Sequence, residues 1–172
     1  MTTPTPPAET VTALARRYRL EIDTSATGTP VWSLLPGVTE FAPKVEPTQQ
    51  ETTSYDAEGW VEQTVTMLAW SVEVTIAHRM HPTTGQFNPT QEHLRKASLS
   101  FGAASYVRLR YFDRGGADEA YEGQALVTWE PDGGGPDEVD SVKITLTGSG
   151  PLKAIANPVA PVPPKPAAGG GS

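Results

Sequence analysis

Two histidines lie close together near the end of a predicted strand, and histidine is the side chain that most readily carries a proton or ligates a metal near neutral pH. His78 and His81 are three residues apart. Odd spacing on a strand sends two side chains to opposite faces, so this pair does not converge on one ion. A zinc site would also need a third ligand near by. We therefore expect solvated histidines at a strand exit and no metal site.

A cluster of carboxylates surrounds the glycines at 133–135 and could in principle hold calcium. Its members are Asp132, Asp137, Glu138 and Asp140. Their spacing does not match a twelve-residue calcium loop, whose ligands recur at alternate positions and end in glutamate. An acidic, flexible hairpin is the better interpretation. The sequence also contains no nucleophile elbow, phosphate-binding glycine loop or dinucleotide fingerprint. It therefore predicts no catalytic residue, no cofactor and no enzyme activity.

Arginines and aromatic residues share one face of another predicted strand. Arg108 and Arg110 share this face with Tyr106 and Phe112, which superficially resembles a platform for single-stranded nucleic acid. Carboxylates on the adjoining strand, such as Glu122, offer these arginines partners across the sheet. We therefore expect cross-strand ion pairs and not a nucleic-acid surface.

Composition limits the protein to one acidic domain. The chain has 172 residues, 20 acidic against 13 basic side chains, a net charge of −7 and no cysteine. Binding to nucleic acid through counterion release needs clustered lysine and arginine, which this balance disfavours. The acidity fits simple solubility, or a surface that lies near DNA without adhering to it, and charge alone does not choose between them. No secretory signal or membrane span is apparent, and the lack of cysteine fits synthesis in a reducing cytoplasm.

Period-two alternation predicts a mainly β protein. Residues 17–35 should form a β-hairpin around a turn at 24–30. Further strand-like segments, separated by turns rich in glycine, proline and aspartate, cover 60–67, 69–79, 105–112, 120–130 and 139–147.

One helix is predicted over about 89–101. Asn88 suits the N-cap, Pro89 the first helical position and Gln91 the reciprocal capping position. An apolar stripe at spacings of three and four should face the sheet. The stripe consists of Leu94, Ala97 and Phe101, and Gly102 closes the helix.

A long polar segment, residues 42–59, separates two sheet segments and contains almost no hydrophobic residues. We expect it to be a loop arm that cannot bury itself against its own domain and gains order only from a neighbouring copy. The domain plan that follows is an N-terminal arm at 1–16, a β domain at 17–150 and a Pro/Gly-rich C-terminal extension at 151–172. That extension should not fold alone.

Several short motifs, taken in order, resemble the major tail tube protein of long, non-contractile-tailed bacteriophages (siphoviruses). The resemblance covers roughly residues 17–158, and the Pro-rich end from Pro161 is not part of it. The motifs lie at 36–43 (PGVTEFAP), 55–60 (YDAEGW), 94–97 (LRKA), 121–125 (YEGQA) and 146–150 (LTGSG).

The resemblance implies a β-sandwich or small barrel with one flanking α-helix, a long inter-strand loop and extended termini. It implies a structural virion protein, made in the host cytoplasm, whose hexameric rings stack into a tube that conducts DNA to the host. Expected partners are further copies of the chain and the tail terminator, tape measure and distal tail proteins. DNA would pass without specific binding, and no membrane is involved.

Two sets of site residues follow from this resemblance. Inter-subunit contact is expected from the loop arm, through Lys44, Val45, Glu46, Gln49, Gln50, Glu51, Tyr55, Asp56 and Trp60. Acidic residues of the lumen or its loops are expected among Glu40, Glu119, Glu122, Asp132, Asp137 and Asp140. The alternative function is a monomeric β-sandwich binding module, such as a virion decoration or host-glycan adhesion domain, and an acidic hydrolase ranks far below both.

Overall fold

The computed structural model describes residues 15–159, which form eight strands and one α-helix. After a short 3-10 turn at Ala15–Arg17, the elements in chain order are β1 (Tyr18–Asp23), β2 (Trp32–Leu34), β3 (Val38–Glu51), β4 (Gln63–Ala77), α1 (Pro89–Ser98), a second 3-10 turn (Gly102–Ser105), β5 (Tyr106–Asp113), β6 (Ala120–Pro131), β7 (Ser141–Gly148) and β8 (Lys153–Ala154). Most of the predicted N-terminal arm, and the C-terminal extension from 160 onward, lie outside the described residues.

All strands belong to one antiparallel sheet in the order β2-β1-β5-β6-β7-β4-β3, with β8 also paired to β6. β6 pairs with β5 along 120–126 and with β7 along 125–131, so the two halves of the sheet are offset along this strand. Apolar side chains from both halves nevertheless form one core, which means that the sheet curls over on itself. The prediction of a mainly β fold with one flanking helix is confirmed. The described strands form a single curled sheet that is not closed by hydrogen bonds into a barrel.

The core forms from alternate residues that face the inside of this curl. Trp70, Val72, Val74 and Ile76 on β4 pack with inward-facing residues of the other strands and of α1. The other buried members include Leu20, Ile22, Leu94, Val107, Leu109, Tyr111, Ala125, Val142, Ile144 and Leu146. Because strands contribute every second residue to one face, the alternation seen in the sequence is the direct cause of this core.

α1 is shorter than predicted. The side chain of Asn88 accepts hydrogen bonds from the backbone N–H groups of Thr90 and Gln91, which confirms the predicted N-cap. The helix ends at Ser98, so Phe101 lies beyond it and is 94% exposed instead of packing on the sheet. The Gln91 side chain does not close a capping box. It is fully buried, where it accepts from Arg79 N and donates to the carbonyls of Pro36 and Ala77.

The segment predicted as a loop arm, 42–59, is strand as far as Glu51. β3 pairs with β4 from Val38↔Ile76 to Glu51↔Gln63, and the predicted segments 60–67 and 69–79 merge into one 15-residue strand. The expectation that a neighbouring copy alone orders this arm is therefore wrong, because its backbone pairs within its own chain. The sequence does not show the alternation of a strand here, because polar residues lie on both faces of β3 and two prolines interrupt the pattern. An edge strand such as β3 tolerates proline.

Candidate assembly interface

The outer part of the β3–β4 hairpin projects beyond the core. Val45 pairs with the buried Trp70, and past this point residues 46–51 and 63–69 pair only with each other. A strand rises about 3.4 Å per residue, so the 14 residues of β3 span roughly 45 Å. Typical strands have about five or six residues, which makes this hairpin long for a domain of this size. Its outer half contributes nothing to the core formed by residues 15–159.

Apolar side chains on the projecting hairpin face solvent. Trp60 is 79% exposed and Leu68 69% exposed, and five further hydrophobic residues share this state. These are Val45, Tyr55, Val61, Val65 and Met67. So many exposed apolar side chains on one projecting element favour a place where another molecule binds. Of these residues, Val45, Tyr55 and Trp60 belong to the set predicted from the sequence for inter-subunit contact. Val61, Val65 and Met67 lie in the strand-like segment predicted at 60–67, and nothing in the sequence pattern indicates that they face solvent.

The same hairpin is strongly acidic. Residues 46–62 contain five carboxylates and no lysine or arginine. These carboxylates belong to Glu46, Glu51, Asp56, Glu58 and Glu62. Lys44, just before this stretch, lies 2.5 Å from Glu46, and hydrogen bonding to that carboxylate raises the pKa of Lys44. Gln49 and Gln50 lie on β3 with exposed side chains. The nine residues predicted for inter-subunit contact therefore lie along one projecting element, although most of them are on a strand and not in a loop.

At the root of the hairpin an apolar groove of about 550 Å³ opens between β4 and the segment before β8. Trp70 forms its floor and donates a hydrogen bond from Nε1 to the carbonyl of Gly150 at 2.9 Å. The ring lies directly on Gly123 and Gly148, where a Cβ would come within 2.5 and 2.2 Å of it. The two glycines are thus required by the position of the indole ring.

The outer face of the β1–β5–β6 segment carries paired charges. Arg108 donates to Glu122 at 2.6 Å, and Arg110 donates twice to Glu21, at 2.6 and 2.8 Å. Arg110 also lies 4.6 Å from the ring centre of Trp32. The predicted cross-strand ion pairing of these arginines is confirmed, although the Arg108 side chain is still 44% exposed.

A second ionic cluster joins the start of β1 to the β5–β6 turn. Arg17 donates to Asp113 at 2.7 Å and to Glu119, and the Tyr18 hydroxyl donates to Glu119 at 2.7 Å. The hydrogen bond from Arg17 holds the pKa of Asp113 below its ordinary value of 3.8. The hydrogen bond from Tyr18, followed by that from Arg17, lowers the pKa of Glu119 below 4.5.

The six acidic residues predicted for the lumen do not form one surface. Glu119 immediately precedes β6 and Asp132 immediately follows it, so they lie at opposite ends of a 12-residue strand. Several already have partners. Glu40 accepts from Thr75, Glu122 from Arg108, Asp132 from Ser141, and Asp140 contacts His78, whereas Asp137 is exposed with no ion pair among the described residues.

His78 is not solvated as predicted. Its side chain is only 10% exposed, with Nδ1 2.8 Å from Asp140 and its ring stacked on Phe87 at 4.1 Å between ring centres. Nε2 is buried without a hydrogen-bond partner, 3.9 Å from Glu92. This burial is not apparent in the sequence, because the loop after β4 folds back and places Phe87 against the ring. His81, as expected, is exposed.

Within residues 15–159, no group of three histidine or carboxylate side chains could hold a metal ion. The one α-helix in this range has ten residues, too few to cross a membrane.

Comparison with known proteins identifies the fold. No protein-family model matches the chain, and no curated protein matches its sequence. Solved structures do match. The tail of an empty gene transfer agent particle, refined with C6 symmetry, superposes with a TM-score of 0.68 at 13% identity, over 84% of this chain and 100% of that chain. The SPP1 tail tube gives 0.58 at 14% identity, over 84% and 80% of the two chains.

A third similar structure is the baseplate of the anti-feeding prophage, with a TM-score of 0.53 at 8% identity over 86% of this chain and 98% of that chain. These similar proteins are parts of tails and a baseplate, which are structural assemblies and not enzymes. The chain therefore has the fold of the tail tube proteins of phages and gene transfer agents.

Proposed function

We propose that the chain is the self-assembling subunit of a siphovirus tail tube, in which six copies form a ring and rings stack into a conduit for DNA. The observation that carries the proposal is the projecting β3–β4 hairpin, whose outer half exposes apolar side chains that residues 15–159 of its own chain leave uncovered. The shared fold supports the same function, because one of the similar tails was refined with sixfold symmetry.

The topology suits head-to-tail assembly. Identical subunits that join through different surfaces form a closed ring when the rotation permits, and an open filament when the contact also translates along the axis. β2 and β3 are the two edge strands of the described sheet. Exposed edges invite pairing with other chains, and a dedicated neighbour removes that hazard.

The acidic balance suits a conduit for DNA. Duplex DNA carries one negative charge per ~1.7 Å of its axis, so a carboxylate-lined bore disfavours adhesion. Screening limits this repulsion to about 8 Å at physiological salt, the range in which sticking would begin. Of the predicted lumen residues, Glu119 and Glu122 are poorly suited because arginines neutralise them. Asp137 and its neighbour Glu138, exposed in the β6–β7 loop, are the best candidates.

The same resemblance also indicates where such a subunit is made and which proteins it contacts. The chain would be made in the host cytoplasm and reside in the virion tail. Its partners would be other copies of itself together with the tail terminator, tape measure and distal tail proteins.

The test is polymerisation of the purified protein. Concentrated protein should form rings or tubes visible by negative-stain microscopy. Replacing residues 47–68 by Asn-Gly should abolish them, since a two-residue turn can join the paired Glu46 and Ala69 directly. The far-ultraviolet circular dichroism of this variant should remain that of a β protein, because the removed segment lies outside the core.

A matched control removes residues 134–137 from the other long exposed connection and should leave polymerisation intact. A wild-type protein that stays strictly monomeric at high concentration, or tubes that persist without the hairpin, would contradict the proposal.

A further inference from the structure

We infer that the tip of the β3–β4 hairpin, residues 52–62, docks into a cleft between β2 and β3 of the next copy. This inference deepens the proposed function and rests on it, because it names the surface that receives the hairpin. The cleft has a volume of about 230 Å³ and lies between the two edges of the curled sheet. We refer to it as the edge cleft.

The edge cleft combines apolar walls with basic residues. Its walls come from Tyr18, Leu20, Leu34, Leu35, Val38 and Phe41. Arg19 and Arg114 also line it, and no carboxylate does. Arg19 forms a salt bridge with Glu21 at 3.1 Å. Arg114 is exposed and forms no ion pair among the described residues.

The hairpin tip has the complementary composition. Tyr55, Trp60 and Val61 are exposed apolar residues within it, and Asp56, Glu58 and Glu62 supply negative charge without any basic residue. Aromatic anchors that fill an apolar cleft, surrounded by charges of opposite sign, are the usual composition of a specific interface. Charge complementarity therefore selects this acidic tip as the occupant of the arginine-bearing cleft.

The occupant must come from another copy. Val38, the first residue of β3, itself lines the edge cleft, while the tip begins after Glu51 at the far end of the same strand. About 45 Å of extended strand separates the two, so a tip cannot reach the cleft of its own chain. Each copy thus offers its tip at one end and its cleft at the other, and repeated docking gives an open head-to-tail series.

The backbone at the edge cleft is also available for pairing. β2 pairs only with β1, and β3 only with β4, so one side of each strand is unpaired within residues 15–159. An extended segment that enters between two such edges can add main-chain hydrogen bonds to the side-chain contacts.

Cross-linking tests the docking directly, because the natural chain has no cysteine. Ser54→Cys marks the tip and Val38→Cys marks the edge cleft. Val139→Cys, which replaces an exposed residue of the β6–β7 loop, serves as the control. In assembled protein treated with a short bifunctional maleimide, the Ser54/Val38 double variant should give a ladder of covalent multimers. The Ser54/Val139 double variant should give no more multimers than the single variants do.

A charge exchange provides a second, independent test. Arg114→Glu alone, and Glu58→Lys with Glu62→Lys, should each raise the critical concentration for assembly about tenfold. Mixing the two variants should restore assembly, because the acidic tip of one meets an intact cleft and the basic tip of the other meets an acidic cleft. Lys96→Glu, an exposed basic residue on α1, should leave assembly unchanged.

Different results would contradict the edge-cleft docking and the tube function. Tubes that form while the tip cross-links only to the control, or to neither site, would overturn the edge-cleft docking and leave the tube function standing. Failure of the mixture to recover would overturn the docking in the same way. A wild-type chain that never polymerises would overturn both.

Discussion

At the scale of single residues, the packing of the Trp70 ring depends on two glycines that leave no space for a side chain. Trp70 reaches Gly150 through its indole N–H because nothing separates the ring from the backbone at Gly123 and Gly148. A side chain at either glycine would occupy the space of the ring. Protein interiors are close-packed, so such a change cannot be absorbed without moving the indole.

Gly148→Ala should therefore destabilise the protein by about 2–3 kcal/mol, as expected for overpacking at a buried site. Urea denaturation followed by tryptophan fluorescence measures this change in the free energy of unfolding. Gly135→Ala is the matched control, since a Cβ at Gly135 meets nothing within 4 Å. Equal stability of the two variants would show that the ring has room to move.

Gln91 connects three elements from one buried side chain. It accepts from Arg79 N at 2.9 Å and donates to the carbonyls of Pro36 and Ala77 at 3.0 and 3.1 Å. Gln91→Leu should cost about 3 kcal/mol, because buried backbone groups would lose their partners without gaining water. Thermal unfolding tests this value, with Gln124→Leu as an exposed control. A loss below that of the control would show that the three bonds contribute no net stability.

At the scale of secondary-structure elements, the cluster around Arg17 joins the start of β1 to the end of β5 and the turn that follows. Both carboxyl pKa values are lower in the folded chain than in the unfolded chain. Their stabilising contribution is therefore complete above the ordinary values of 3.8 and 4.5, and it is lost as the pH falls through and below that range.

Arg17→Met should reduce stability by roughly 1–2 kcal/mol at pH 7, the range of a partly exposed hydrogen-bonded ion pair. The difference from wild type should shrink as the pH falls from 5 to 3, since protonation removes the same interaction from the wild type. Chemical denaturation at each pH provides the measurement, with the exposed Arg16→Met as control. A difference that stays constant across this range would show that Arg17 acts through packing and not through charge.

Elements with a buried face could be predicted from the sequence, and elements without one could not. Alternation predicts the β1–β2 hairpin and the core strands, because a strand with one buried face has a hydrophobic residue at every second position. Capping chemistry predicts the role of Asn88. β3 has no such period over its outer half, since both its faces are exposed. The contacts of Gln91 and His78 were equally inaccessible, because loops distant in sequence create them. Val45, Tyr55 and Trp60 were predicted as contact residues through the resemblance of the arm to a family loop, and their exposure is consistent with that prediction.

At the scale of the whole molecule, charge is distributed unevenly along the fold. The net charge of −7 is concentrated in the projecting hairpin and the β6–β7 loop, while most arginines of the sheet are paired. A chain of this kind should not associate with DNA by counterion release, whether alone or assembled.

We therefore expect no shift of duplex DNA by the protein in gel electrophoresis at 50 to 150 mM salt. Replacing Asp137 and Glu138 by lysine should introduce weak binding that disappears as salt increases, because screening shortens the reach of surface charges. Binding of DNA by the natural chain, with a steep salt dependence, would be incompatible with a non-adhesive conduit.

The join between the two edges of the sheet has a mechanical consequence. Tyr18 and Phe41 meet there at 5.0 Å between ring centres, and Phe41 meets Tyr111 at 5.5 Å, with no ladder of hydrogen bonds across the gap. Aromatic rings can slide by a fraction of an ångström at little cost, whereas a ladder holds a fixed register. Residues 15–159 thus have a compliant seam beside strands that are held by hydrogen-bonded ladders. In the proposed tube the docked tip of the next copy would occupy this seam, so assembly would stiffen the place where a single chain yields.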